Sequence, residues 1–155
     1  MSPLDRLLAL RAIDDVIGRY CQLFDDQDWD ALAELWTEDA AFVVEDVAFE
    51  GRAVLMEFLR TCLPPGYQSK HMISPPVVEL AEDGHQATAR TDVVWIAQNF
   101  ENAIVARYDD VLVDDGHGWR IQRRTEIPLQ YRPGAPPMSD DALRASQATM
   151  RVDDP

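Results

Sequence analysis

Histidine, the side chain best suited to moving protons near neutral pH, is scarce in this chain, which contains only His71, His85 and His117. His85 and His117 both fall in D-G-H turns, where a solvated ring is the plain expectation. His71 is different. It alternates with Ile73, Pro75 and Val77 on a predicted strand, so its imidazole shares a face with apolar side chains. Spacing alone leaves two readings open: a histidine satisfied by a backbone carbonyl, or a base that takes a proton from carbon. The second needs a carboxylate partner. Asp25 follows Ile17 and Cys21 at intervals of four, on the flank of a helical apolar stripe and near the end of that helix. A carboxylate there opposes the helix dipole, at a cost of roughly 0.3–1 kcal/mol, which a hydrogen bond to histidine would offset. D-D-Q-D-W-D (25–30) also reads as a solvated acidic turn, and periodicity does not select Asp25 over Asp26. Tyr20 belongs to the same stripe as Val16, Ile17 and Phe24, and a buried phenol there can donate a hydrogen bond to a substrate or serve packing alone. Together these residue types could abstract a proton, hold the imidazolium and steady a developing oxyanion.

The elements that must position them are legible from periodicity. Apolar residues from Leu4 to Phe24 recur at three and four, predicting one long amphipathic helix. Asp28 then reads as the N-cap of a short helix carrying Trp29, Leu32, Leu35 and Trp36 inward. D-A-A-F-V-V-E-D-V-A-F-E (39–50) reads as one strand, and 51–63 as a helix ended by Pro64-Pro65. Beyond Gln68 the period becomes two, over about 69–80, 85–98, 102–114 and 118–131, with turn signals at E-D-G and D-D-G. An antiparallel meander covered by helices on one face, hence an α+β domain, is expected. On the last strand, parity places Arg123 with Trp119, Ile121, Ile127 and Leu129 on the apolar face, and Arg124 and Glu126 on the other. Asp92 and Asp110 are candidate partners for Arg123. The four tryptophans read chiefly as core, with one or two lining a cavity.

Twenty-eight acidic against fourteen basic residues leave a net charge of −14 in 155 residues, and thirteen of the acids lie in residues 1–50 with only three bases. Such a balance repels the phosphate backbone, so nucleic acid and anionic membranes are not expected partners. No apolar run approaches the roughly 18–20 residues of a membrane span, and acids interrupt the N-terminus before a secretory core could form; the expected address is the cytoplasm. Cys21 and Cys62 lack C-x-x-C spacing and read as small apolar residues within helices. Neither a glycine-rich phosphate loop, a G-x-S-x-G elbow nor an H-E-x-x-H metal motif occurs. Pro, Gly and Ser gather from Arg132 onward, so a domain over 1–131 is expected to precede a tail over 132–155 with a weak helical pattern at 142–150.

A-I-D-D-V-I-G-R-Y-C-Q-L-F-D-D-Q-D-W-D-A-L-A-E-L-W-T-E-D-A (12–40), F-E-G-R-A-V-L-M-E-F-L (49–59), K-H-M-I-S (70–74) and Y-D-D-V-L-V-D-D-G-H-G-W-R-I (108–121) resemble the SnoaL-like branch of the NTF2-like superfamily, over about residues 5–131. The resemblance implies a cone-shaped α+β barrel: a strongly curved antiparallel sheet covered by N-terminal helices around a deep apolar pocket, in a homodimer or homotrimer. It also implies that Tyr20, Asp25 and His71 match the catalytic positions of scytalone dehydratase-like and bile-acid dehydratase-like members. The Asp–His pair and the M-S-x-L-D-R-L opening are similar to the hexachlorocyclohexane dehydrochlorinases. Tyr20, however, stands where those enzymes carry a lysine and Leu129 about where they carry an arginine, which puts dehalogenation in doubt. The ketosteroid-isomerase aspartate corresponds to about Val44. Implied is a dehydratase-type elimination or isomerisation of a small apolar molecule such as a steroid, polyketide, terpenoid or aromatic. His71 would be the base, Asp25 its partner and Tyr20 a hydrogen-bond donor or acid. Arg123, Trp36, Phe42, Trp95 and Leu129 are the expected substrate-binding residues, and no metal or organic cofactor is called for. The same superfamily also contains ligand-binding modules, cyclases, hydrolases and the structural β subunits of aromatic-ring dioxygenases.

Overall fold

The computed structural model describes residues 1–100 and 102–129; the tail over 132–155 and its helical pattern lie outside the described residues. Helix α1 spans Pro3–Asp25. Ser2 caps it, its hydroxyl accepting from the Asp5 amide while the Asp5 carboxylate accepts from the Ser2 amide, so two donors near the first turn are satisfied at once. The predicted stripe is buried from Ile13 to Asp25. Asp28 accepts from the Ala31 amide at 3.2 Å and caps α2 (Trp29–Ala33). That helix stops earlier than the apolar spacing implies. Trp36 opens strand β1 (Trp36–Val44) instead, because the chain is captured by pairing with the last strand: the Ile121 amide donates to the Leu35 carbonyl at 2.8 Å.

The segment 39–50 is a hairpin and not one strand. Glu45 and Asp46 take positive φ (47° and 69°) and turn β1 back into β2 (Val47–Glu50), with Phe42 opposite Phe49. Gly51, at φ 86°, redirects the chain into α3 (Arg52–Thr61). Ser74-Pro75-Pro76 likewise splits 69–80 into β3 (Ser69–Ile73) and β4 (Val77–Leu80), since proline has no amide to donate to the ladder. Strands β5 (Gln86–Ala97), β6 (Ala103–Asp114) and β7 (Trp119–Pro128) form the expected antiparallel meander. The sheet order is β2-β1-β7-β6-β5-β3, with β4 also on β5, and β1 runs parallel to β7. Helices and the inner face of this curved sheet enclose a core that includes Ile13, Ile17, Leu32, Trp36, Leu55 and Ile121. No helix among the described residues is long and apolar enough to cross a membrane.

One irregularity redirects the last strand. Val111 pairs with Arg123 and Leu112 with Ile121, so Gln122 is an extra residue in β7, a β-bulge. An extra residue inverts the side-chain alternation beyond it. Trp119 and Ile121 point into the core as predicted, but beyond the bulge Arg124 is buried while Arg123 and Ile127 are exposed.

Candidate active site

Asp25 closes α1, and β3 runs past it. Ser69 and His71, two apart on β3, share the face turned toward the helix end. The Asp25 carboxylate collects three donors: its Oδ1 lies 2.8 Å from His71 Nδ1 and 3.0 Å from the Ser69 hydroxyl, and its Oδ2 accepts from the His71 amide at 2.8 Å. These donors answer the dipole mismatch that the sequence implies. Burial by itself would raise the Asp25 carboxyl; the hydrogen bonds from the His71 ring, the His71 amide and Ser69 outweigh it and hold the group below the ordinary carboxylate range. The side chains of Asp25 and His71 are only 3% and 4% exposed. A carboxylate can only accept, so Nδ1 carries a proton and Nε2 of the neutral ring keeps a lone pair. That nitrogen lies 3.3 Å from the Tyr108 hydroxyl.

Nε2 belongs to one wall of a cavity of about 230 Å³. The rest of the wall is mostly apolar, with Phe24, Phe42, Phe58, Leu63, Val93 and Trp95 prominent. Phe24 meets the His71 ring edge-on at 5.2 Å and Tyr20 at 6.2 Å, which fixes its plane. The polar groups reaching the cavity besides His71 are Tyr20, Tyr108, Glu126 and the Cys62 thiol. Burial pushes both phenols well above their ordinary range, so they are hydrogen-bond donors and not proton donors. Burial pushes the thiols of Cys21 and Cys62 up to about 11; Cys21 is buried in α1, while Cys62 follows α3 as its C-cap and borders the cavity although the residue as a whole is exposed.

The expected site residues divide into two groups. Tyr20, Asp25, His71, Phe42 and Trp95 come together at the cavity or directly behind it. Trp36 is fully buried behind Tyr20, edge-on at 5.8 Å, and is core. Leu129 is partly buried just beyond β7 and does not line this cavity. Arg123 does not lie on the apolar face that parity predicts: the bulge turns it to the outer face, where it borders a separate surface depression with Arg90 and Asp109. Its place inside is taken by Arg124, which grips Asp110 with two bonds of 2.7 Å. The guanidinium carbon of Arg124 sits 4.0 Å from the Tyr20 ring centre and 4.2 Å from that of Tyr108. Asp92 pairs instead with Arg107 at the surface.

Sequence reasoning missed Tyr108 and Glu126. For Tyr108 a signal existed, since Ala106, Tyr108, Asp110 and Leu112 form an inward period-two face of β6. For Glu126 the parity pointed the wrong way.

The profile of the SnoaL-like domain family matches residues 5–125, and the chain belongs to that family. The fold is that of NTF2-like proteins, also described as cystatin-like. Among solved structures it is similar to a candidate scytalone dehydratase from Novosphingobium aromaticivorans, at 19% identity over 82% of this chain and 88% of that one, with a TM-score of 0.73. It is likewise similar to LinA, at 23% identity over 88% of this chain and 100% of that one, with a TM-score of 0.72. The β subunit of a candidate aromatic-ring-hydroxylating dioxygenase from N. aromaticivorans is 20% identical over 82% of this chain and 93% of that one, with a TM-score of 0.68. No curated protein matches the sequence.

Proposed function

We propose that the chain is a cofactor-independent lyase of the dehydratase type, acting on a small, largely apolar molecule that carries a carbonyl and a leaving group. The observation that carries the reading is the 2.8 Å contact between Asp25 and His71 on the wall of an apolar cavity. Neutral His71 removes the proton beside the carbonyl through Nε2, and Asp25 holds the tautomer and stabilises the imidazolium. The Tyr20 phenol donates a hydrogen bond to the developing enolate oxygen. The apolar wall strengthens each of these interactions by excluding water.

The β-hydroxy ketone formed from benzaldehyde and acetone is a suitable probe, because its dehydration yields a conjugated, strongly absorbing enone. His71→Ala and Asp25→Asn are each expected to lower its turnover by about 10²–10⁴-fold, with circular dichroism unchanged. Near-wild-type turnover in either folded variant sinks the reading.

A further inference from the structure

Glu126 is a carboxyl in an unusual place. It lines the same cavity as His71, yet it forms no hydrogen bond or ion pair with any of the described residues. It is paired directly across the β6–β7 ladder with Tyr108, whose hydroxyl reaches Nε2 of His71. Directly paired residues share a face with Cβ atoms about 4.5–5.5 Å apart, so acid and base stand on either side of one tyrosine. We infer that Glu126 is the general acid of the site, delivering a proton to the departing hydroxyl while His71 removes the proton from carbon.

The groups that face it favour the protonated form of the carboxyl on balance. Burial raises Glu126 above the ordinary glutamate range; the Arg124 guanidinium, two residues back on the same face of β7, offsets part of that, and Glu45 in the β1–β2 turn adds to it. Tyr108 from β6, Tyr20 from α1, Cys62 at the end of α3 and His71 on β3 complete the titratable surroundings. None of the three raised neighbours, Tyr20, Tyr108 and Cys62, is acidic enough to compete as donor.

The inference rests on the dehydratase reading. Nε2 takes the α-proton and the C–H electron pair becomes the enolate. As the enolate collapses to the carbon–carbon double bond, the C–O bond breaks toward oxygen. That oxygen takes the Glu126 proton and leaves as water. Imidazolium and carboxylate remain, and proton exchange with solvent restores both.

Two measurements separate this inference from the reading beneath it. With the same β-hydroxy ketone in deuterated water, deuterium entering the α-carbon reports His71 alone, whereas enone formation reports both groups. Glu126→Gln should keep exchange and lose about 10²–10⁴-fold in enone formation; His71→Ala should lose both. If Glu126→Gln forms enone at the wild-type rate while His71→Ala is inactive, the general-acid assignment is overturned and the base stands. If His71→Ala keeps both, the underlying reading fails. Independently of any substrate, carbon NMR of protein labelled at the glutamate carboxyls, with Glu126→Gln to identify the resonance, should show Glu126 titrating above the ordinary glutamate value of about 4.3; titration at or below that value overturns the assignment.

Discussion

Two acid–base pairs lie close together in this fold, and they have opposite characters. The side chains of Asp110 and Arg124 are both 0% exposed and joined by two bonds of 2.7 Å, and the Tyr20 and Tyr108 rings overlie the Arg124 guanidinium. Burial works against the Arg124 charge, but the Asp110 carboxylate more than compensates and the guanidinium pKa moves upward, so Arg124 keeps its charge. Asp25 and His71 are almost as deeply placed, yet His71 keeps one nitrogen on the cavity. A pair with a fixed charge and no opening can only hold structure. A pair whose cation exists only after a proton arrives, and which opens onto an apolar space, can do chemistry. Tyr20 and Tyr108 join the two, resting on Arg124 and lining the cavity, so the sealed pair acts as a platform for the pair that opens onto it.

The contrast is broken or sharpened most strongly at Arg124. Arg124→Met leaves Asp110 buried without its ion-pair partner and should cost about 3–5 kcal/mol of stability, read from the denaturant midpoint at constant slope. The double variant Arg124→Met with Asp110→Leu should recover most of the loss, because a buried pair is worth little more than apolar side chains of the same volume. Asp25→Asn should show the reverse balance: about 1–3 kcal/mol of stability lost through imperfectly matched donors, against the much larger loss of turnover already described. Equal stability costs at the two pairs would erase the distinction.

A smaller effect is expected at Glu126. Its folded pKa lies above the unfolded value of about 4.3, so the folded state is penalised once the group ionises. That penalty is complete above the folded pKa and absent below the unfolded one. Glu126→Gln should therefore be more stable than wild type at high pH, with a difference that shrinks as pH falls toward about 4. Asp25 has the opposite sign. Its folded pKa is lowered, so its contribution is present above the unfolded value of about 3.9 and disappears as pH falls through the folded value. The gap between wild type and Asp25→Asn should narrow only in that acid range, seen in thermal melts at stepped pH.

How much of this the sequence carries differs between the same two pairs. The helical spacing that buries Ile13, Ile17, Tyr20 and Phe24 also brings α1 to its end at Asp25, and the alternation around His71 gives the facing strand. Periodicity stops short of choosing Asp25 over Asp26; the family resemblance makes that choice, and the donors from Ser69 and His71 give the physical reason for it. The Asp110–Arg124 pair is hidden by a single bulged residue, Gln122, which leaves no mark in composition and inverts every position after it. Arg123 and Arg124 are adjacent and chemically identical, so the sequence offers no means of knowing which one is inside. The parallel pairing of β1 with β7, which takes Trp36 out of the helix, is set by contacts far apart in the chain and is equally invisible to local patterns.

The central claim is that Asp25 fixes His71 as a base whose unprotonated nitrogen, Nε2, faces the cavity. Long-range proton–nitrogen NMR correlation of the His71 ring tests it without any substrate. The account predicts a neutral ring protonated at Nδ1 in the wild type, and loss of that tautomer in Asp25→Asn. A neutral ring protonated at Nε2, unchanged by the substitution, would contradict it.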